Sequence, residues 1–413
     1  MKRSGIKLGL GVLGLAALTL PFVWLQLNYN FSQGSVTTQW NFQKGWEFLK
    51  NLTPLLIFIL LIFFFQRLKL PQKKLETAQP SRLQKFLTRL TSYPKFHASL
   101  FLVLIVIGFF LTDYSLNLAI FVGLYMIQAL GLNIAVGMTG LLVLGYAGFF
   151  AVGGYSFAIL QQFLPGLTWW MIFPGILLVG ALVGWLVGLP CLRLRGDYLA
   201  IVTLGFAESF RELMRNCYEL TGGDKGIRLA FESKINGLLF HNQTLMSSIQ
   251  LTYFIVLTSV FLCAIALHRL YHSRIGRAWI AIREDEIAAS AMGIPVVRMK
   301  LVAFMLSASF AALAGLLYVA YIGFLDPSSC RFEESALILA MVILGGLGNI
   351  PGSLLGSALL YLIPALLRDQ FPALADYRLL LFGVLMVIMM IYRPQGLLGN
   401  PQRRLELKSE PTS

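Results

Sequence analysis

A chain of 413 residues would ordinarily fold as two or three soluble domains, but 57% hydrophobic residues, 13% charged ones and a mean hydropathy of +0.74 exclude that class. The net charge of +14 sits between apolar runs instead of being interleaved with aromatics on one patch, so it marks membrane topology and not a nucleic-acid surface. Cys191, Cys217, Cys263 and Cys330 are scattered without CxxC spacing, which indicates neither a zinc site nor a disulfide framework.

The chain opens on "MKRSGIKLGLGVLGLAALTLPFVWLQ", a basic start and an apolar core with no clear small-x-small cleavage site, and it is read as an uncleaved first span. Apolar segments follow at 6 to 26, 50 to 66, 97 to 112, 115 to 136, 140 to 161, 168 to 190, 197 to 213, 250 to 270, 300 to 323, 335 to 349, 352 to 368 and 378 to 392. From Tyr114 to Leu192 there is no Asp, Glu, Lys, Arg or His. Solid apolar runs in lipid choose helices over a barrel, so the expected fold is all-α, a polytopic integral membrane protein with about 10–12 transmembrane helices. The segment at 197 to 213 carries Asp197, Glu208, Arg211 and Glu212 and is expected to be partly interfacial, while 335 to 349 and 352 to 368 are short or broken spans around a glycine-rich turn.

Residues 67 to 95 hold eight Lys or Arg against the single acid Glu76, which places this linker in the cytoplasm. With Lys2 and Arg3 inside, ten or twelve crossings return Arg393, Arg403, Arg404 and Lys408 to the same side, so both termini are cytoplasmic. On that count 274 to 300 is also internal, and 214 to 249 and 325 to 335 face outside. Residues 1–96 form a two-span extension with a basic linker, 97–399 the working core and 400–413 a tail.

Catalysis needs convergent titratable groups and a proton carrier needs intramembrane acids or histidines, yet 114 to 192, 301 to 324, 335 to 367 and 379 to 392 hold none. Sodium coupling through neutral oxygens stays weakly open. His268 and His272 lie at i and i+4, but no nearby acid or cysteine completes a metal site, and polar residues at the end of a span are the simpler reading. No Gly-Lys dipeptide exists, so "LTGGDKGI" at 220 to 227 and "GGLGNIPG" at 345 to 352 are not nucleotide loops. Gly140, Gly145, Gly148, Gly153 and Gly154 serve close helix packing or expose backbone to a solute, with packing the commoner use.

The stretch "RIGRAWIAIREDEIAASAMGIPVVRMK", 274 to 300, is the charged exception. On one helix Arg283, Glu284, Asp285 and Glu286 would point all around the axis, leaving no clean face for lipid. Ala278, Ala281, Ala288, Ala289 and Ala291 make a slim rod, ended by Gly293 with Pro295 beyond. Residue geometry leaves two readings level: a rod entering a partner's groove, and a solvated connector.

"EIAASAMG" resembles the EAA loop of ABC importer permeases. The surrounding "GRAWIAIREDEIAASAMGIPVVRMKLVAFMLSASFAALAG" is similar to LivM-type permeases of branched-chain amino acid importers. So are "GLNIAVGMTGLLVLGYAGFFAVGGY", "LRLRGDYLAIVTLGFAE", "TGGDKGI", "FEESALILAMVILGGLGN" and "RPQGLLG", in order from about 101 to 399. The resemblance implies an inner-membrane transport subunit without catalysis or cofactor. Its expected partners are membrane lipid, a second homologous permease, two ATP-binding subunits and a periplasmic amino-acid-binding protein, with no nucleic acid. It implies ATPase docking at Arg283, Glu284, Asp285, Glu286, Ala288, Ala289 and Gly293, and a translocation route past Tyr198, Thr203, Glu208, Gly222 and Gly223. Asp224-Lys225 departs from the uncharged pair familiar at that place in the loop. A urea or short-chain amide permease is the alternative within the class, and an ion-coupled secondary carrier the alternative outside it.

Overall fold

The computed structural model describes residues 25–30, 35–40, 108–109, 111–164, 169–191, 197–229 and 248–370, with Gly383 and Leu397 as single positions. The expected spans at 50 to 66 and 378 to 392, apart from Gly383, lie outside the described residues, as do the basic linker 67 to 95, the tail 400–413 and most of the first and third spans. Leu25–Asn30 (β1) pairs antiparallel with Ser35–Trp40 (β2), Leu25 opposite Trp40 and Asn30 opposite Ser35. Val36, Thr37, Thr38 and Trp40 are β-branched or aromatic, which suits a strand. This hairpin occupies the polar stretch expected between the first two spans.

Helices dominate the rest. Asp113–Leu132 (α1) starts under the Thr112 cap and runs into a π-helical turn, Asn133–Met138. Tyr146–Phe163 (α2), Trp169–Cys191 (α3), the amphipathic Asp197–Asn216 (α4) and the single turn Tyr218–Thr221 (α5) follow, then the two-residue strand Ile227–Arg228 (β3). Next come Ser248–His272 (α6), Arg274–Glu284 (α7), Glu286–Ala291 (α8) and Val296–Ile322 (α9). Phe324–Leu325 (β4), Phe332–Gly345 (α10) and Ile350–Gln370 (α11) follow, and two short 3-10 turns, Gly223–Lys225 and Pro327–Cys330, complete the described elements. Among the described residues four helices are long and apolar enough to cross a membrane: Asp113–Met138, Ile172–Cys191, Ile249–His272 and Val296–Ile322.

The core forms where α9 packs on α1, α2 and α3. Apolar burial cannot drive this assembly in lipid, so close approach must, and small residues supply it. Gly180, Gly184 and Gly188 recur every fourth residue on α3 and face α9; a Cβ at Gly180 or Gly184 would lie 2.6 or 2.7 Å from the Cβ of Ala312 or Ala308. On α2, Gly153 meets the Ala312 backbone and Gly148 meets Ala207. The glycines from 145 to 154 are therefore packing glycines.

The span expected at 140 to 161 starts later, at Tyr146, because Thr139–Gly145 is non-helical. Such backbone survives at membrane depth only when protein groups satisfy it. Here the Leu141 N–H donates to Ala135 O (2.9 Å), Leu144 N–H to Thr203 Oγ1 (3.2 Å) and Ala147 N–H to Ser335 Oγ (2.9 Å). The glycine-rich turn lies where expected, at 346–349, with Gly346 and Gly348 at positive φ. It joins α10 to α11, whose backbones touch at Gly345 and Gly352. At 14 residues α10 reaches about 21 Å at 1.5 Å per residue, short of the ~30 Å apolar core.

The 27 residues of α9 separate two functional ends by about 40 Å. At its start Met299 O accepts from Trp279 Nε1 of α7, and beyond its finish Gly323 O accepts from Leu229 N of the 218–229 loop.

Candidate functional site

At the first end the residues from Ser273 to Lys300 make a bent bracket. Ser273 caps α7 by accepting from Gly276 N at 3.3 Å. Trp279 is fully buried and donates to Met299 O at 2.8 Å, fastening α7 to α9. Asp285 then leaves the helix, with φ −152° and ψ 114°, and its carboxylate accepts from Ile287 N (2.8 Å) and Ala288 N (2.9 Å). That is an N-cap, so a new helix, α8, begins at Glu286 in a new direction.

The single rod expected from composition is corrected: Asp285 breaks it, because a carboxylate bonded to the next two free amides competes with continuing the helix. α8 ends as abruptly. Gly293 N donates to Ser290 O and Ile294 N to Ala289 O, a Schellman motif with Gly293 at φ +81°.

The break sorts the expected docking residues. Glu284, Asp285, Glu286 and Ala288 are exposed, as is Gly293. Ala289 is buried against Ile282 and Val296, so it anchors α8. Glu286 pairs with Lys300 at 2.6 Å, tying the start of α8 to α9. Arg283 turns inward, its Nη1 donating to Gly137 O at 2.5 Å. Gly137 lies in the π-helical turn, where Asn133 Oδ1 also accepts from Gly348 N at 2.9 Å. Arg283 thus reaches the junction of α1 with the α10–α11 turn.

Two residues missed in the sequence stand furthest out: Ile287 is 78% exposed and Met292 83%. Only the break at Asp285 puts Ile287 on a small helix and Met292 at its C-cap, and the signal for it was the N-cap residue ahead of Glu286.

The proposed route residues separate in the same way. On α4, Tyr198 is 71% exposed, and with Ile201, Val202 and Gly205 it forms a face that no described element covers. Thr203 is fully buried; its hydroxyl donates to Ala200 O (2.9 Å) and accepts from Leu144 N, so it supports the 139–145 stretch from behind. Glu208 is part-exposed and bridges to Arg211 at 2.7 Å, which neutralises both on the helix.

At the second end Gly222, Gly223 and Gly226 all take positive φ, a conformation open to glycine at little cost. Thr221 fixes that turn: its single hydroxyl proton is shared between Met214 O and Cys217 O, and its oxygen accepts from Gly223 N. β3 pairs with β4, Ile227 opposite Leu325. The unexpected Asp224 bridges to Arg215 at 2.7 Å, latching the loop to the end of α4. Among the described residues no three His, Cys, Asp or Glu gather as metal ligands, and His268 and His272 meet edge-on at 4.7 Å between ring centroids.

A bracket stands off one end of a glycine-packed helical core, with a shaped loop at the other. Residues 114–390 match the family model described as branched-chain amino acid transport system / permease component. The chain belongs to this permease family. It is 38% identical over 408 residues to the high-affinity branched-chain amino acid transport system permease protein LivM of Salmonella typhimurium, covering 94% of this chain and 93% of that protein. The LivM protein of Escherichia coli K12 is 38% identical over 411 residues with the same coverage. The E. coli LivH permease is 26% identical over 288 residues, 67% of this chain and 92% of LivH. No solved structure matches the chain. This permease is a multi-pass membrane protein, and its likeness to the LivM proteins takes in most of residues 1–96.

Proposed function

We propose that this permease is the LivM-type membrane subunit of an ATP-driven importer that carries leucine, isoleucine and valine across a bacterial inner membrane. The observation that carries the reading is the bracket. α8 holds Ile287 and Met292 in the open while Trp279, Ala289 and the Glu286–Lys300 pair fix it rigidly to the core. Exposed apolar side chains on a rigid mount suit insertion into a partner's groove, and acids around them set its orientation.

In this reading two ATP-binding subunits serve the importer, one of them gripping α8 from the cytoplasm, with both termini of the permease on that side. Their movement passes along α7 to Arg283, and from Arg283 to the π-helical turn and the α10–α11 turn. A second homologous permease of the LivH kind covers the open face of α4, so that Tyr198 and Gly205 border the route and Thr203 positions its wall. The Glu208–Arg211 pair lies along the same helix. Gly222 and Gly223 shape the outer loop where a periplasmic amino-acid-binding protein delivers its cargo.

The test is uptake of labelled leucine and labelled urea by proteoliposomes holding the whole complex and its binding protein. ATP-dependent entry of leucine without urea is expected. Entry of urea alone would replace the solute while keeping the class.

A further inference from the structure

The second end holds a cavity of about 470 Å³ between the end of α2, α5 and β3. Gln161 of α2 lines it while only 2% exposed, and among the described residues neither its Oε1 nor its Nε2 has a hydrogen-bond partner. A buried amide with both ends unpaired is costly, and native proteins rarely keep one without a use.

Two charges of opposite sign share the cavity, Glu219 and Arg228. Among the described residues neither forms an ion pair. Arg228 is held in place by the β3–β4 ladder and by the Phe324 ring, 5.7 Å from its guanidinium. Ala158, Ile227 and Leu229 supply apolar wall.

We infer that this cavity is a waiting site for a zwitterionic aliphatic amino acid on its way from the binding protein to the membrane route. The Arg228 guanidinium takes the α-carboxylate, Glu219 takes the α-ammonium, and the Gln161 amide fills its vacant donor and acceptor on the same head group. A bare anion is opposed by Glu219, and a bare cation by Arg228. The amide-bearing ledge thus accepts a molecule carrying both charges and an aliphatic side chain. This inference rests on the importer reading and names the place where that solute pauses.

The test uses the complete complex of permeases and ATP-binding subunits in lipid nanodiscs, without the binding protein. Labelled leucine is bound and then challenged with 4-methylpentanoate, which lacks the amine, and 3-methylbutylamine, which lacks the carboxylate. Leucine itself should displace the label at concentrations about tenfold lower than either analogue. Arg228→Gln and Glu219→Gln should each weaken leucine binding about tenfold, and Arg228→Gln should erase the preference over 3-methylbutylamine.

Gln161→Leu separates a binding role from a folding role. It should leave the thermal midpoint unchanged or higher, since an unpaired buried amide is removed, yet weaken leucine binding about fivefold. A higher midpoint with unaltered binding and uptake would overturn the inference. So would a wild-type complex that imports leucine with ATP and binding protein but shows no saturable leucine site in nanodiscs; the importer reading then survives. Leucine binding with the analogue pattern above, but no ATP-driven uptake of any branched-chain amino acid, would keep the site and remove the importer reading.

Discussion

Arg283 and Asp285 are two residues apart and do opposite things. Asp285 acts locally: its carboxylate ends α7 and starts α8 by accepting from Ile287 N and Ala288 N. Replacing such a cap with Ala costs about 1 kcal/mol. Asp285→Ala should therefore speed hydrogen exchange at the Ile287 and Ala288 amides with little change at Trp279. Equal exchange in the two proteins would mean that the break has another cause. Arg283 acts at a distance, holding Gly137 O across 146 positions of sequence. A hydrogen bond from a charged group is worth about 1.5–3 kcal/mol. Arg283→Ala should uncouple the complex, with ATP-binding subunits still copurifying and ATP hydrolysis persisting while uptake falls at least several-fold. Full uptake in that variant would remove Arg283 from the transmission route. The Asp224–Arg215 bridge is more than half exposed on the Asp224 side, where water screens an ion pair, so Asp224→Asn should leave the thermal midpoint of the purified complex nearly unchanged. The cap at Asp285 had a signal in residue type and place, although the stretch was expected to run as one rod. The inward turn of Arg283 was not, because its partner is a backbone carbonyl whose position depends on the whole bundle.

Among the elements, helices stood out wherever apolar runs were long, and the outcome for α1, α3, α6 and α9 follows the sequence closely. The departure at 139–145 has a physical reason. "GLLVLG" is apolar enough to read as the start of a span, but its Leu144 amide finds a partner on α4, Thr203, and the Ala147 amide just beyond it one on α10, Ser335, which no local pattern reveals. Thr203→Val keeps the shape and leaves the Leu144 amide unpaired, at a cost of about 1–3 kcal/mol. It should lower the thermal midpoint of the purified complex, and Thr203→Ser should restore it. Equal midpoints for all three proteins would mean that the 139–145 stretch does not depend on α4. The α3–α9 seam makes a second test. A leucine at Gly184 meets Ala308 and the Met305 backbone, so Gly184→Leu should impair assembly, whereas at Gly175 on the same helix a side chain meets none of the described residues and Gly175→Leu should not. Normal assembly of both variants would mean that the helices separate there at no cost.

At the scale of the molecule the permease has a bracket fastened by Trp279, Ala289 and the Glu286–Lys300 pair at one end of α9, a loop beside the Gln161 cavity at the other, and glycine-tight helices between them. The membrane class was plain from hydropathy, and a sequence without a Gly-Lys dipeptide or ionisable groups in its apolar runs led to the expectation of an energy source on another chain. The ordered motifs from "GLNIAVGMTG" to "RPQGLLG" carried the family. The proposed docking face was only partly visible in the sequence: its acids stood out, but Ile287 and Met292 looked like ordinary apolar residues until the turn at Asp285 set them outside. The central claim is that energy enters through those two side chains. It is tested most directly by ATP-driven leucine uptake in proteoliposomes carrying the complex with Ile287→Asp and Met292→Asp combined. The account predicts a membrane-inserted permease, still paired with its homologous partner, that loses the ATP-binding subunits and imports at background rate. Uptake at the wild-type rate in the double variant, or wild-type uptake that persists without ATP and follows an ion gradient, would contradict it.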